Sequence, residues 1–198
     1  MESVIEELVR KNRSYRRFYQ DRRVDEQTLR ELVELARLSP SAGNMQPLKF
    51  LLSADPALNA RIFPTLAWAG YLRDWSGPAE GERPAAYIVI VGDKEIRPNF
   101  GCDHGIAAQS ILLGAVERGL GGCMIGAIDR KALRAVLNLP EERWDILLVI
   151  ALGYPKEQVV LEEVGPDGDI KYYRDAAGVH HVPKRRLDDL ILPAPAAK

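Results

Sequence analysis

The sequence predicts an α+β domain with three layers. Three features point there. Amphipathic helical segments alternate with strand-like runs along the whole chain. Two of those runs, AYIVIVG at 86–92 and DILLVIALG at 145–153, are continuously apolar, as strands covered on both faces are. A long segment at 105–119, GIAAQSILLGAVERG, is apolar on nearly every side of a helix, which places it in the middle of the protein.

Each element has a local cause. Ser3 caps a first helix at 4–11, with Glu6 three residues on as in a capping box, and Val4, Ile5, Leu8 and Val9 form one apolar stripe. Asp25 caps a second helix at 26–38 whose buried stripe is Leu29, Leu32, Val33 and Ala36. Pro40 stops it, because the residue before a proline avoids the helical region. A loop, SPSAGNMQP at 39–47, leads to a strand, LKFLLS at 48–53. Asp55-Pro56 opens a short helix with a cap and a proline in its first turn. Residues 70–84 read as loop, then the strand at 86–92 follows. Asp103 or Gly105 starts the apolar helix. GLGGCMIGAI at 119–128 is a glycine-rich connection holding a short strand, and Asp129 caps the helix RKALRAVLN that ends before Leu139-Pro140. After the strand at 145–153, GPDG at 165–168 is a turn, and DIKYYRD and GVHHVP are candidate paired strands. No linker or repeat divides the chain, so residues 1–192 read as one domain and 193–198 as a disordered tail.

Composition removes several classes of function. The 198 residues carry a net charge of −1, which disfavours a broad nucleic-acid surface. Two cysteines, Cys102 and Cys123, are too few for a disulfide framework. No apolar run approaches the roughly 20 residues of a membrane span. The opening MESVIEELVRKN lacks a signal peptide's apolar core. The expectation is a cytoplasmic protein with neither membrane nor nucleic acid as partner. Cys102 and His104, with no second close pair, do not make a zinc pattern, so no metal is expected. His180 and His181, adjacent in a strand, should face opposite ways.

Charge is distributed unevenly. Residues 10–23 hold Arg10, Lys11, Arg13, Arg16, Arg17, Arg22 and Arg23 against Asp21 alone, and Lys184, Arg185 and Arg186 stand near the other end. Such runs are solvated surface, a phosphate site or a nucleic-acid face. Arg13 and Ser14 offer a forked donor and a hydroxyl, the parts that grip a terminal phosphate. Trp68, Tyr71, Leu72 and Trp75 are either core packing or the wall of a pocket.

Four segments, NRSYRRF at 12–18, SPSAGNMQP at 39–47, GGCMIGAID at 121–129 and VPKRRL at 182–187, come in the order and near the separations found in one family. Across nearly its whole length the chain resembles the FMN-dependent nitroreductases. The resemblance implies a central mixed sheet flanked by helices, and an obligate homodimer with its site at the subunit interface, where the helix at 105–119 is a candidate contact. It implies that Arg13 and Ser14 bind the ribityl phosphate of FMN and that Lys184 and Arg186 complete the grip, with Arg185 pointing away. Asn12 stands where many members carry a second arginine, so one charged phosphate contact is replaced. Arg16 matches a basic residue beside the flavin N1–C2=O edge, where a fixed cation stabilises the reduced ring. Pro40, Ser41 and Asn44 would reach the ring of the flavin held mainly by the other subunit, with Ala42 offering only backbone. Ile125 and Gly126 match the strand end whose amides approach flavin N5.

The implied activity is an FMN-dependent oxidoreductase. It would pass hydride from NAD(P)H through flavin N5 to a nitroaromatic, quinone or similar small aromatic acceptor by a ping-pong scheme, with no catalytic side chain because the flavin carries the chemistry. Two alternatives are a dehalogenase-like or flavin-modifying relative, and a flavin-storage or RNA-binding module without turnover.

Overall fold

The structure is a computed structural model that describes residues 3–195. Its helices are α1 (Val4–Lys11), α2 (Glu26–Leu38), α3 (Pro56–Ile62), α4 (Asp103–Glu117) and α5 (Arg130–Leu137). Its strands are β1 (Leu48–Ser53), β2 (Ala86–Asp93), β3 (Gly121–Ile125), β4 (Trp144–Gly153), β5 (Val159–Glu163), β6 (Tyr173–Arg174) and β7 (His180–Lys184). The four expected cap residues all act as caps. Ser3, Asp25, Asp55 and Asp129 each accept from a backbone N–H of the helix that follows, satisfying donors the first turn leaves orphaned. Glu6 does not reach back to complete a capping box; it pairs with Arg10 one turn on.

The central sheet runs β1-β2-β4-β3 with antiparallel pairings throughout. Parallel pairing occurs in a second, smaller sheet, β5-β7-β6, where β5 lies parallel to β7 and β6 antiparallel to it. Strand β5, VVLEE, was not expected. Only half-buried, it lacks the continuous apolar signal that marks β2 and β4.

The strands sort their side chains onto two cores, as a period of two requires. Ile88 and Ile90 of β2 with Ile150 and Leu152 of β4 face one cluster, which holds Leu29 and Leu32 of α2 and Ala108 and Ile111 of α4. Tyr87 and Val89 of β2 with Val149 and Ala151 of β4 face the other, which holds Ile62 of α3 and Leu133 of α5. Helices therefore cover the sheet on both faces, and all eight residues of β2 are buried. One expectation about a helix needs correcting. Helix α4 is not enclosed all round, because Gly105, Ile106 and Gln109 lie exposed along one flank. The apolar stripe of α1 buries nothing in the single chain, with Val4 76% and Ile5 58% exposed. Past β7, Leu187, Leu190, Ile191 and Leu192 are also exposed. Residues 193–195 form neither helix nor strand, and 196–198 of the expected tail lie outside the described residues.

Candidate functional site

The segment after α1 is extended and pinned on both sides. Ser14 bridges to Gly122 of β3, and the Tyr15 amide donates to the Gly122 carbonyl at 3.0 Å. The glycines make room on both sides: a Cβ at Gly121 would sit 2.5 Å from the Tyr15 ring, and one at Gly122 would sit 2.6 Å from the Ala151 carbonyl oxygen of β4. From the other side the carboxylate of Glu157 accepts from the backbone amides of Arg16 and Arg17, the latter at 3.1 Å, and from the Arg174 guanidinium at 2.8 Å. Glu157 is buried and lies just before β5, so one carboxylate ties the basic segment to the small sheet.

That sheet brings the two ends of the chain together. Asn12, Arg13, Ser14 and Arg16 line one cavity of about 360 Å³ with His180, Val182 and Lys184 of β7, and with Gln109, Met124 and Tyr172. The basic run resolves into two sets. Arg10 pairs with Glu6, Lys11 with Glu7, and Arg17 makes a two-pronged contact with Glu82, while Arg22 lies over the Tyr154 ring. Arg13, Arg16 and Lys184 face the cavity, whose lining contains no carboxylate. Among the described residues none of the three forms an ion pair, and such a cluster of cations defines a place for an anion. Burial pulls the Arg13 guanidinium below its usual value; one Nη donates to the Val9 carbonyl at 2.6 Å, and its Nε has no partner among the described residues. The Glu82 carboxylate is held down to about 2, first by its hydrogen bond from Arg17 and then, against burial, by Lys156.

Arg16 is buried and stands at the middle of the site. Its Nη1 is 3.2 Å from the Ser14 carbonyl and 3.3 Å from His180 Nε2, and its guanidinium lies 4.8 Å from the centre of the Tyr172 ring. The two histidines do face apart. Burial, then the charge of Arg16, pushes His180 down to about 4. His181, bonded to Asp175 and Glu162, is raised above its usual value. The signs for stability are opposite. Unfolded His180 takes a proton near pH 6.5 but the folded form resists to about 4, so acidification across that window removes stability. His181 stabilises fully below 6.5 and loses its contribution as pH rises through its folded value. Thermal unfolding between pH 4 and 6.5 should show His180→Asn losing less stability on acidification than the wild type; an unchanged acid limb would contradict the buried neutral imidazole.

A second cavity of about 190 Å³ shares Arg16 and Met124 with the first and continues it past Ile125, Gly126 and Trp68. Nothing lies within 4 Å of where a Gly126 Cβ would stand, so this backbone opens onto free space. Cys123 is buried here and burial raises its thiol, which keeps it protonated and unreactive. From the aromatic segment, Trp68 forms wall, Tyr71 packs on Tyr172 at 4.9 Å, and Trp75 lies beneath the Arg174 guanidinium.

The loop at 39–47 does not join these cavities within one chain. Pro40 and Ser41 line a separate cavity of about 520 Å³ beside β1 and α2, while Ala42 and Asn44 are exposed outside all three. The loop is nonetheless rigidly placed. Buried Asp103 accepts from the Ser41 hydroxyl at 2.8 Å and the Ala42 amide at 3.0 Å, and Asn44 and Gln46 both adopt φ of 52°. Arg186 also lies apart from the cleft, its side chain 68% exposed and its Nε 3.6 Å from Glu163. Sequence reasoning gave no site role to Glu157, Asp103 or Tyr172. Only Asp103 carried a signal, as a carboxylate at the start of a helix. Among the described residues no three of His, Cys, Asp and Glu gather as a metal site, and no helix is long and apolar enough to cross a membrane.

Comparison with known proteins accords with this geometry. The model of a family described as the Nitroreductase family matches residues 9–154. Over 149 residues the chain is 30% identical to a protein of Archaeoglobus fulgidus named NADH dehydrogenase/NAD(P)H nitroreductase, a match covering 72% of this chain and 80% of that one. It is 26% identical over 183 residues to the 5,6-dimethylbenzimidazole synthase of Rhodospirillum rubrum, covering 81% and 86%. Among solved structures, an FMN-dependent nitroreductase of Clostridium difficile R20291 superposes with a TM-score of 0.62 at 26% identity, covering 76% of this chain and 87% of that one.

Proposed function

The chain belongs to the nitroreductase family, shares its α+β fold and is an NAD(P)H-dependent oxidoreductase; from that premise we propose that it works through FMN, bound in the paired cavities around Arg16. The observation that carries this reading is a cavity lined by three cations and no acid, opening at Arg16 into a narrower cleft walled by Trp68, Ile125 and the bare backbone of Gly126. A phosphate fits the first part, because Arg13, Ser14 and Lys184 are all donors and the buried Arg13 Nε has no partner. A planar ring fits the second, because small residues let the main chain approach it. When bound, the flavin would supply the redox chemistry linking NAD(P)H to a nitroaromatic, quinone or similar acceptor.

The protein's own residues bind and orient. Arg13, Ser14 and Lys184 hold the phosphate, with Asn12 at the rim, where its amide donates to Gln109 at 3.3 Å. Arg16 places a fixed positive charge beside the pyrimidine edge of the ring, where it favours electron-rich states. Ile125 and Gly126 present backbone to the ring's reactive side. The Pro40–Asn44 loop, remote from these groups in its own chain, would complete the partner's site in a homodimer, and Arg186 would find a role only in that assembly. Cys102 and Cys123 are free thiols, in keeping with a reducing cytoplasm.

The purified protein should be yellow, and the colour should bleach when NADH or NADPH is added without air and return with an acceptor. A yellow protein that does not bleach would be a flavin store, and a colourless one whose RNA affinity falls steeply with salt would be a nucleic-acid binder. Bleaching that no acceptor reverses would favour the flavin-modifying alternative. The dimer has a separate test. Val4, Ile5 and Ile106 are exposed, as are Leu190 and Leu192 beyond β7. Monomeric soluble proteins rarely leave large connected apolar areas open. Leu190→Glu with Leu192→Glu should convert a dimer into a folded monomer in analytical ultracentrifugation. A dimer that persists would remove the C-terminal segment from the contact.

A further inference from the structure

We propose that His180 binds the cofactor directly, its Nδ1–H donating to an oxygen acceptor on the ring side of the flavin next to Arg16, an assignment that rests on the flavin reading above. The proton's position follows from its neighbour. Arg16 Nη1 lies 3.3 Å from His180 Nε2, and a guanidinium can only donate. Nε2 is therefore the acceptor, and the neutral ring carries its hydrogen on Nδ1. That Nδ1 is buried and has no hydrogen-bond partner among the described residues, although His180 is only 1% exposed. A buried donor left unmade is costly, and buried polar atoms in native proteins almost always have a partner.

His180 lines the cavity, and that is where we place the partner. His180, Val182 and Lys184 share one face of β7 and all line the cavity. At about 3.3 Å per residue, His180 stands roughly 13 Å along the strand from Lys184. Lys184 thus serves the phosphate end, and His180 the opposite end, where the two cavities meet at Arg16. The imidazole packs 5.2 Å from the Tyr172 ring, which with Arg16 fixes its orientation. A neutral donor also suits the place: beside Arg16 a second full charge would be repelled, whereas an N–H adds direction without charge.

The test is a titration of the full-length chain, stripped of flavin, with FMN and separately with riboflavin, followed by quenching of flavin fluorescence. His180→Phe should weaken both ligands by the same factor, about ten- to a hundredfold. An asparagine amide can occupy the Nδ1 position and a glutamine amide reaches the Nε2 position. His180→Asn should therefore recover most of the affinity and His180→Gln should not. His180→Phe binding FMN within twofold of the wild type would overturn the proposal, as would glutamine recovering affinity as well as asparagine. A loss for FMN but not for riboflavin would overturn it too, by placing the contact at the phosphate. A wild-type chain that binds neither ligand would sink the flavin reading itself, a result distinct from any of these.

Discussion

Glu157→Ala should be the most damaging single substitution near the site, with an expected loss of about 3–5 kcal/mol, the scale for breaking a buried ion pair by removing one partner. The carboxylate is held by two consecutive backbone amides, those of Arg16 and Arg17, and by Arg174 at 2.8 Å. Its removal leaves the Arg174 guanidinium, whose side chain is only 16% exposed, without a counter-charge. It also frees the Arg13–Arg17 segment from the small sheet that carries Lys184. Both halves of the cavity should then lose registration, so FMN affinity falls along with stability. Urea unfolding and FMN titration of Glu157→Ala and Glu157→Gln give the two readouts. Glutamine keeps an acceptor but not the charge and should lie between wild type and alanine. A destabilisation under about 1 kcal/mol in the alanine variant would show that the segment is held by its other bonds, among them those to Gly122 and Lys156.

Lys184→Ala and Arg186→Ala, two positions apart, should separate sharply. The family resemblance treats them as a pair, but the fold sends them to different places. Lys184 lines the cavity with Arg13 and Ser14, whereas Arg186 is on the surface, 3.6 Å from an equally exposed Glu163. Losing Lys184 should weaken FMN by about 1.5–3 kcal/mol, the usual scale for a hydrogen bond between charged groups. Losing Arg186 should cost the free chain under about 1 kcal/mol, as for exposed ion pairs. Any larger effect of Arg186 should appear only in the dimer. Calorimetric titration with FMN at fixed ionic strength, with the assembly state measured alongside, distinguishes these outcomes. Equal losses in a monomeric preparation would mean that Arg186 swings into the same cavity.

The parts of this fold legible in the sequence are those with local causes. Ser3, Asp25, Asp55 and Asp129 cap their helices because a side-chain oxygen reaches an amide two or three residues away. Strands β2 and β4 announce themselves because burial on both faces needs an unbroken apolar run. The convergence of residues 12–16 with Lys184 was open to sequence only through family resemblance. Glu157 was invisible, since its partners lie 141 and 140 positions away and a lone glutamate before a weak strand resembles any surface acid. Strand β5 escaped for a related reason: its pairing with β7 is non-local and its sequence is half polar. The outward stripe of α1 shows a further limit. Periodicity reveals that a helix has an apolar face, but not whether that face meets its own core or another chain.

Ser14 and Lys184 meet in one cavity although nearly the whole polypeptide separates them. During synthesis the N-terminal half of the pocket leaves the ribosome long before its complement, so on the flavin reading an incomplete chain lacks Lys184 and should hold the cofactor weakly. If the flavin reading holds, products of premature stop codons upstream of β7 should emerge colourless whatever else in them has folded.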